Sequence, residues 1–586
     1  MTFRRTVYLI KKDLLCRIDC DGNKPSGLRL LSVMLSPPGM AVTIFRLQSY
    51  FFAANLYPVS KILAVLNIIL YGVEIDPAAQ IDEGLVLGHA NGLVIHRLVR
   101  IGKNCRLMHQ NAISPNCITG SVVIGDNVTL CAGAKIIGVL TIGDSCVIGM
   151  NAVVTKSLPA CSSAEGIPAR ITATIPPAGQ GPGPAALTVT KKSSLSLGRT
   201  FSLIHKDMLR RIYVDGNMPS RLRMVSVMLS PPGMAVIIFR LQSYCWAHGL
   251  GLPRRLFELL NIILYKVSID SGTDADEGFI IGHATGIAIG RNVTFGKNCT
   301  LVHHNSIIAI QPHERITLED EVLVGAGARI TGPVTIGHDS IIGMNAVVAQ
   351  SLPPFSVAGG VPAQVIKVLT PAPPGADEPQ AAVAAAPQPS RMSFRETLHL
   401  IRADILYRTT AADNRRFTRL AYLKLLLNPA GLAVAVYRLE RWAWCRKLRI
   451  VAKALTILNI VFFSIDISPR ADIGEGFIIA HANGIVITNN VRIGKNCMLT
   501  LQNTLTIGPR EHMDPVNDML VLEDGVLVGA GARIVGNTTV GHHSIVGMNS
   551  VVTRSAPPFS LLAGVPASVI GRTDKGGPSK EAVQNT

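Results

Sequence analysis

Aliphatic residues recur at every sixth position in the last third of the chain, and this spacing constrains the fold more than any other feature. The ladder runs through Leu522, Val528, Ile534, Val540, Val546 and Val552. A period of six matches neither the 3.6 residues of an α-helical turn nor the simple alternation of a flat strand. Short fixed repeats are typical of a parallel β-helix, in which each hexad supplies one short strand and one corner.

The same ladder occurs three times, which predicts three β-helices in one chain. Copy one carries Ile75, Ile81, Leu87, Leu93, Ile101, Leu107, Ile113, Ile118, Ile124, Leu130, Ile136, Ile142, Ile148 and Val154. Copy two carries Ile269, Ala275, Ile281, Ile287, Phe295, Leu301, Ile307, Leu318, Val324, Ile330, Ile336, Ile342 and Val348. Copy three begins its ladder with Ile467, Ile473, Ile479, Ile485, Ile493, Leu499 and Leu505.

A segment with helical spacing precedes each ladder, and linker-like stretches separate the copies. Residues 175–194 are rich in Pro, Gly, Ala and Ser, which is typical of a flexible linker, and the Pro/Ala tract 371–391 predicts a stiffer one. The predicted domains are helical leader 1 (1–72), β-helix 1 (73–174), leader 2 (195–266), β-helix 2 (267–370), leader 3 (392–463), β-helix 3 (464–572) and a polar tail (573–586).

Charge and cysteine content indicate the partners and the compartment. The net charge is +18, and the basic leaders suit a solvated face, an acidic small molecule or an anionic membrane surface. We expect no nucleic acid partner, because no recognised binding motif accompanies the charge. Eleven cysteines lie scattered without paired spacing, and the N-terminus lacks a signal-peptide core. These features, with apolar runs too short to span a bilayer, predict a cytoplasmic protein with reduced thiols.

Three motifs in copy three together resemble serine acetyltransferases. They are His481-Ala482-Asn483-Gly484, a loop that carries His512, and the closing Ala563-Gly564-Val565-Pro566-Ala567. That family belongs to the hexapeptide-repeat acyltransferases, whose β-helix is left-handed. The resemblance implies an α+β, mainly β fold of three left-handed parallel β-helix units, each with an N-terminal α-helical leader.

Members of this family assemble as trimers, with active sites between neighbouring β-helices. The resemblance therefore implies that the three linked units form an intrachain pseudo-trimer, a monomer that could associate further. Linking the units would raise their effective concentration, so that assembly no longer depends on protein level. The alternative is beads on a string, in which each unit forms trimers with other chains.

The chemistry that the resemblance implies is transfer of an acetyl group from acetyl-CoA to a hydroxyl. A hydroxyl is a poor nucleophile at neutral pH, so a base must remove its proton. His481 matches the family's catalytic base, and Asp466, fifteen residues earlier, matches the carboxylate that orients it. His512 matches a second histidine, which the family contributes across the interface.

The other copies keep only part of this set. His89 and His283 occupy the slot of His481, whereas Glu74 and Ser268 occupy the slot of Asp466. Glu74 is expected to orient His89, but Ser268 supplies no charge. Copy two keeps a histidine in its loop, His313, and copy one has no loop excursion at all. The copy-three pair is expected to be the main catalytic centre.

Ligand-binding residues are also implied by the resemblance. Backbone groups of the late coils would bind acetyl-CoA, at Gly508, Gly529, Ala530, Gly531, Gly547 and Met548. Asp413 and Arg510 lie near the positions that contact the acceptor, and no metal site is expected because no ligand set has suitable spacing.

A departure from the family leaves the acceptor open. Serine acetyltransferases have an aspartate immediately before the catalytic histidine, where this chain has Gly88, Gly282 and Ala480. Serine is therefore one candidate acceptor, and a sugar or polysaccharide hydroxyl is the alternative. A non-catalytic pseudo-trimeric scaffold is a hypothesis of a different class, suggested by the incomplete motifs of copies one and two.

Overall fold

The computed structural model describes residues 2–20, 24–115, 120–174, 195–214, 218–309, 314–370, 392–413, 428–508 and 518–573. The predicted linkers, the tail from residue 574, and His313, Arg510 and His512 lie outside these ranges. The chain divides into two compact units. The first comprises Met1–Asp13, Ala41–Pro177 and Val383–Thr586, and the second comprises Leu14–Met40 and Ala178–Ala382.

Helices precede each β-helix, as the spacing predicts. Ser230 and Asn428 cap two of these helices, because their side chains accept hydrogen bonds from backbone N–H groups in the first turn. A proline follows each cap, at a position where its missing N–H costs no helical hydrogen bond. The last leader helix of each copy ends in a left-handed residue, Gly72, Lys266 or Ser464. The helices are α1 Phe3–Cys20, α2 Gly27–Met34, α3 Pro37–Ala53, α4 Tyr57–Tyr71, α5 Leu197–Val214, α6 Arg221–Met228, α7 Pro231–Ala247, α8 Gly251–Tyr265, α9 Phe394–Asp413, α10 Pro429–Cys445 and α11 Arg449–Phe463.

A buried ion pair fixes each leader to its β-helix. In copy three, Nε of Arg438 donates to Asp404 at 2.9 Å, and its two terminal nitrogens donate to the carbonyls of Ile473 and Gly474 at 2.6 Å. Asp404 also accepts from the backbone N–H of Phe477 at 2.9 Å. The pair therefore satisfies strand-end backbone groups that the β-ladder leaves unpaired. The corresponding pairs are Asp13–Arg46 and Asp207–Arg240, both at 2.8 Å.

Each β-helix has three parallel faces, and every third strand of the sequence stacks on the same face. In copy one, the first face contains β1 Val73–Ile75, β4 Leu93–Ile95, β7 Ala112–Ser114, β10 Lys135–Ile137 and β13 Val153–Val154. The second contains β2 Gln80–Ile81, β5 Val99–Ile101, β8 Val122–Ile124 and β11 Leu140–Ile142. The third contains β3 Val86–Leu87, β6 Arg106–Leu107, β9 Thr129–Leu130, β12 Val147–Ile148 and an antiparallel hairpin of β14 Ser162–Gly166 and β15 Ala169–Thr174.

Copy two repeats this arrangement strand for strand. Its first face contains β16 Val267–Ile269, β19 Ile287–Ile289, β22 Ser306–Ile308, β25 Arg329–Thr331 and β28 Val347–Val348. Its second face contains β17 Asp274–Ala275, β20 Val293–Phe295, β23 Ile316–Leu318 and β26 Thr335–Ile336. Its third face contains β18 Ile280–Ile281, β21 Thr300–Leu301, β24 Leu323–Val324, β27 Ile341–Ile342, β29 Ser356–Gly360 and β30 Ala363–Val368.

Copy three has the same three faces. The first contains β31 Ile465–Ile467, β34 Ile485–Ile487, β37 Thr504–Thr506, β40 Arg533–Val535 and β43 Val551–Val552. The second contains β32 Asp472–Ile473, β35 Val491–Ile493, β38 Leu520–Leu522 and β41 Thr539–Val540. The third contains β33 Ile478–Ile479, β36 Met498–Leu499, β39 Leu527–Val528, β42 Ile545–Val546, β44 Ser560–Gly564 and β45 Ala567–Arg572.

The predicted aliphatic ladder forms the core of each prism. In copy three, Leu499, Val528, Ile534 and Val546 are all 0% exposed and belong to one continuous cluster. Asparagine stands at many corners with positive φ, which it adopts more readily than most residues. Within the described ranges, no single helix is long and apolar enough to cross a membrane. Two pairs of helices joined by a sharp bend do have the length and composition of a membrane span.

Candidate active site

His481 lies on the corner between the third and first faces of copy three. Its backbone N–H donates to the carbonyl of Thr500 at 3.1 Å, in the coil below. Arg408 on α9 donates to the carbonyls of Ile479 and Ala480, which immediately precede the histidine. Asn483, two residues later, donates its side-chain amide to the carbonyl of Gly72 in copy one at 2.9 Å. The corner is therefore held from the leader, from its own prism and from copy one.

The imidazole of His481 is paired with a carboxylate of copy one. Its Nδ1 lies 3.0 Å from Oε2 of Glu74, and the two side chains are 21% and 35% exposed. An ionised carboxylate only accepts, so Nδ1 carries the proton and Nε2 keeps its lone pair. That tautomer can act as a general base at Nε2.

The surroundings keep the carboxylate of Glu74 ionised. Burial alone raises its pKa, but the charge of His481, the hydrogen bond to His481 and the charge of Arg408 together hold the pKa below the ordinary value. Burial lowers the pKa of Arg408 to about 10, with Glu74 acting in the opposite direction, so the guanidinium stays charged at neutral pH. A cation, a carboxylate and an imidazole thus interact electrostatically at this interface, and the carboxylate and the imidazole are in direct contact.

The partner of His481 differs from the one predicted within copy three. Asp466 lies on β31, in register with Val486, and its charge adds to the effect of burial in raising the pKa of Glu440. The expected pairing of Glu74 with His89 is also wrong, because Glu74 contacts His481 instead. A side chain at this position projects outward from the first face of its prism. Glu74 therefore contacts a histidine of copy three rather than His89 at a corner of its own prism.

Below the Glu74–His481 pair, copies one and three make a packed interface. Val94 and Ala112 of copy one form a buried cluster with Leu501 and Ala530 of copy three, and Met548 packs against it. This apolar layer closes the lower part of the interface to water.

A buried lysine lies on the same interface. Nζ of Lys135 donates to Oε1 of Gln502 in copy three and to the carbonyl of Gln110 in its own copy, both at 2.7 Å. The amide of Gln502 donates in return to the carbonyl of Gly92 at 2.9 Å. Polar groups buried between the two prisms are therefore matched to each other, which fixes the register of the prisms around His481.

Comparison with protein families finds hexapeptide repeats in all three copies. The family of bacterial transferase hexapeptides (six repeats) matches residues 315–350. The hexapeptide repeat of succinyl-transferase matches residues 121–156 and 520–554. The chain is also similar to the serine acetyltransferase of Escherichia coli K12, with 35% identity over 178 residues. The chain therefore carries hexapeptide repeats in each copy and is similar to serine acetyltransferases.

The similarity to individual relatives covers one copy. The E. coli match covers 30% of this chain and 61% of the relative. The serine acetyltransferase of Mycobacterium tuberculosis H37Rv is 36% identical over 26% of this chain and 65% of the relative. The chain thus spans about three fifths of the length of the curated relatives that it matches. The crystal structure of serine acetyltransferase from Vibrio cholerae is 29% identical, with a TM-score of 0.29, over 32% of this chain and 70% of that chain.

The expected fold of this hexapeptide-repeat protein is confirmed as three left-handed parallel β-helices, each with a helical leader. The pseudo-trimer and the domain boundaries remain predictions.

The residues expected to bind acetyl-CoA lie on late corners of copy three. The N–H groups of Gly529, Gly531 and Gly547 are already used in the ladder, donating to Val546, Leu501 and Leu562 respectively. Ala530 is 0% exposed in the interface cluster. Gly508 (φ 106°) donates to Oγ1 of Thr506 at 3.3 Å. The N–H groups of Gly529, Gly531 and Gly547 are therefore engaged within the prism rather than open to a ligand.

The histidines of the other two copies have different neighbours. The rings of His89 and His109 pack edge to face with centroids 5.3 Å apart, and His283 and His303 repeat this geometry. Copy three has Leu501 at the slot of the second ring. Asp413 is the last residue of α9, and its side chain, like those of His313, Arg510 and His512, is outside what the structure describes. In the described ranges, no group of three His, Cys, Asp or Glu side chains could hold a metal ion.

Sequence reasoning missed Arg408 as a functional residue. A repeated pattern could have found it, because an arginine follows the buried leader aspartate by four residues in every copy. In copy two, Arg211 donates to the carbonyls of Ile281 and Gly282, just before His283. The pattern therefore indicates a leader arginine that supports the histidine corner.

Proposed function

We propose that the protein is an O-acetyltransferase that moves an acetyl group from acetyl-CoA to a hydroxyl acceptor, at a centre shared by copies one and three. The contact between Nδ1 of His481 and Glu74 carries this proposal, because it leaves Nε2 as a base beside an ionised orienter. Similarity to curated serine acetyltransferases supports the same reaction class.

The reaction needs only proton transfer from the protein. Nε2 of His481 accepts the hydroxyl proton as the acceptor oxygen bonds to the acetyl carbonyl carbon. Glu74 stabilises the imidazolium that results, and Arg408 keeps this carboxylate ionised. The imidazolium then returns the proton to the sulfur as the carbon–sulfur bond breaks, and CoA leaves as a thiol. Such general base catalysis contributes roughly 10²–10⁴-fold in rate.

L-serine is the first candidate acceptor, since the similar curated proteins are named serine acetyltransferases. A saccharide hydroxyl is the second, and the residues around His481 favour it. Ala480 occupies the slot in which a carboxylate would bind an acceptor amine, and the carbonyl of Ala480 accepts from Arg408. The guanidinium of Arg408 at this position would repel the ammonium group of serine.

A CoA-release assay on the purified chain tests the proposal. The acceptors are L-serine, glucose, galactose and N-acetylglucosamine, each with acetyl-CoA. We expect acceptor-dependent thiol release that His481→Ala removes almost entirely. His542→Ala is the matched control, because His542 packs on Phe559 at a late corner of the same copy. Absence of thiol release with every acceptor would favour the scaffold hypothesis, and near-normal turnover in His481→Ala would refute the assigned base.

We also propose that the protein works in a reducing, cytoplasmic setting. The described cysteines are free thiols, and burial raises the pKa of both Cys299 and Cys497 to about 12. Such thiols are packing residues rather than nucleophiles. Thiol titration of denatured protein from freshly lysed cells should report all eleven cysteines reduced, whereas a paired fraction would contradict the compartment.

A further inference from the structure

His96 of copy one projects from the same face as Glu74. Glu74 on β1 is in register with Val94 on β4, and His96 follows two residues later. Side chains alternate along a strand, so Ile95 turns into the core at 1% exposed while Val94 and His96 project outward. Strand spacing and rise place the Cα atoms of Glu74 and His96 about 8 Å apart.

Copy three covers this face of copy one. Val94 is buried against Leu501 and Ala530 of copy three, and Glu74 contacts His481. His96, half-buried beside them, is thus at the margin of the same cleft.

The imidazole of His96 is set up as a neutral hydrogen-bond donor. Its Nδ1 accepts from the backbone N–H of Leu98 at 3.2 Å, so Nε2 carries the proton. Burial lowers the pKa of His96, the charges of Arg97 and His481 lower it further, and Asp76 acts in the opposite direction. The ring is therefore uncharged at neutral pH.

Copy one alone has histidine at this slot. Copy two has Gly290 and copy three has Thr488. Copy one is also the copy without a loop excursion, which the other copies insert after the strand that corresponds to β7. The backbone N–H of His96 donates to the carbonyl of Ile113 on β7. An imidazole thus stands at the corner where copy one lacks the loop, facing the copy that carries His481.

We propose that His96 binds the acceptor at the His481 centre, with its Nε2–H donating to an oxygen of the acceptor. The hydroxyl would then be held between a donor from copy one and the base of copy three. This inference rests on the proposed function. Losing one such hydrogen bond costs about 1.4 kcal/mol, which corresponds to a tenfold weaker interaction.

Steady-state kinetics with the best of the four acceptors test the role. His96→Thr, which installs the copy-three residue, should raise the acceptor KM about tenfold and leave the KM for acetyl-CoA unchanged. His96→Gln keeps a donor at the place of Nε2 and should restore most of the loss. An unchanged acceptor KM in His96→Thr, or an equal rise in both KM values, would overturn the inference while the acetyltransferase itself stands.

A titration separates this inference from the function. NMR of ¹³C-histidine-labelled protein follows His96, identified by the signal missing in His96→Thr. Replacing His481 by Gln should raise the pKa of His96, because the charge that His481 acquires on protonation no longer opposes the charging of His96. If the parent shows no transfer with any acceptor, the proposed function fails, and acceptor binding by His96 fails with it. If transfer occurs but the His96 titration is unchanged in His481→Gln, His96 lies away from the centre and the inference is wrong.

Discussion

Nδ1 of His481 and Oε2 of Glu74 lie 3.0 Å apart, although 407 residues separate them in the chain. Copy one, whose own motif is incomplete, thereby supplies the carboxylate that contacts His481 of copy three. Its incomplete motif is therefore consistent with a working part of a shared centre. The completeness of a site in such a chain therefore depends on the two copies that meet at an interface, rather than on one copy alone.

Replacing Glu74 by Gln should lower turnover at the His481 centre by roughly two to four orders of magnitude, since an amide neither selects the Nδ1–H tautomer nor stabilises the imidazolium. The measurement is kcat in a chain that also carries His89→Ala and His283→Ala, so that only one histidine of the three remains. In the same background, Asp466→Asn should retain most of the turnover. The reverse ranking of the two variants would return the orienting role to Asp466.

Replacing Lys135 by Met should loosen the interface between copies one and three. Methionine fills a similar volume but leaves Oε1 of Gln502 and the carbonyl of Gln110 without their donor. We expect a loss of about 1–3 kcal/mol in the free energy of unfolding, read from urea denaturation, together with lower turnover. Lys156→Met, at an exposed position of the same copy, is the control and should change neither.

Replacing Glu440 by Gln should stabilise the protein in alkali. Glu440 is 0% exposed, its Oε1 accepts from Thr456 at 2.7 Å, and its Oε2 has no partner among the described residues. Burial is the main cause that raises its pKa to about 8, and the charge of Asp466 adds to it. The folded state therefore holds a proton that the unfolded state releases above its ordinary pKa of 4.5. Stability should fall as the pH rises through this window and level off above pH 8.

The variant should match the parent near pH 5 and exceed it by roughly 1–3 kcal/mol at pH 9. Gln48 and Gln242 hold this slot in the other copies and donate to strand carbonyls at 2.9 and 2.8 Å. The reciprocal change Gln242→Glu should create the same pH dependence in copy two. Parallel stability curves for parent and Glu440→Gln across this range would contradict the assignment.

Replacing Asp404 by Asn should cost about 3–5 kcal/mol, because it leaves the guanidinium of Arg438 buried without its charge partner. Both side chains are at most 5% exposed. Glu475→Gln removes an exposed pair with Lys495 in the same copy, where the side chains are 38% and 61% exposed, and should cost less than about 1 kcal/mol. Thermal unfolding followed by circular dichroism compares the two; equal losses would show that the leader is not fixed through this pair.

The fold could be predicted from local repeats, whereas the pairing at the site could not. Leu522, Val528 and Ile534 indicate three successive strands of the prism, because each hexad supplies one strand and one corner. Arg408 could have been predicted in the same way, because an arginine recurs four residues after the buried leader aspartate in every copy. His96, by contrast, breaks the repeat, and nothing in its own copy indicates what it faces.

The sequence by itself determined three β-helices with helical leaders, because a six-residue aliphatic period satisfies core packing and backbone hydrogen bonding coil by coil. It also determined which histidine slot to examine. Only the tertiary structure decided that Glu74, not Asp466, contacts His481. An outward-facing side chain gains its partner from whichever prism packs beside it, and that choice depends on matched surfaces such as Lys135 and Gln502, which lie hundreds of residues apart along the chain.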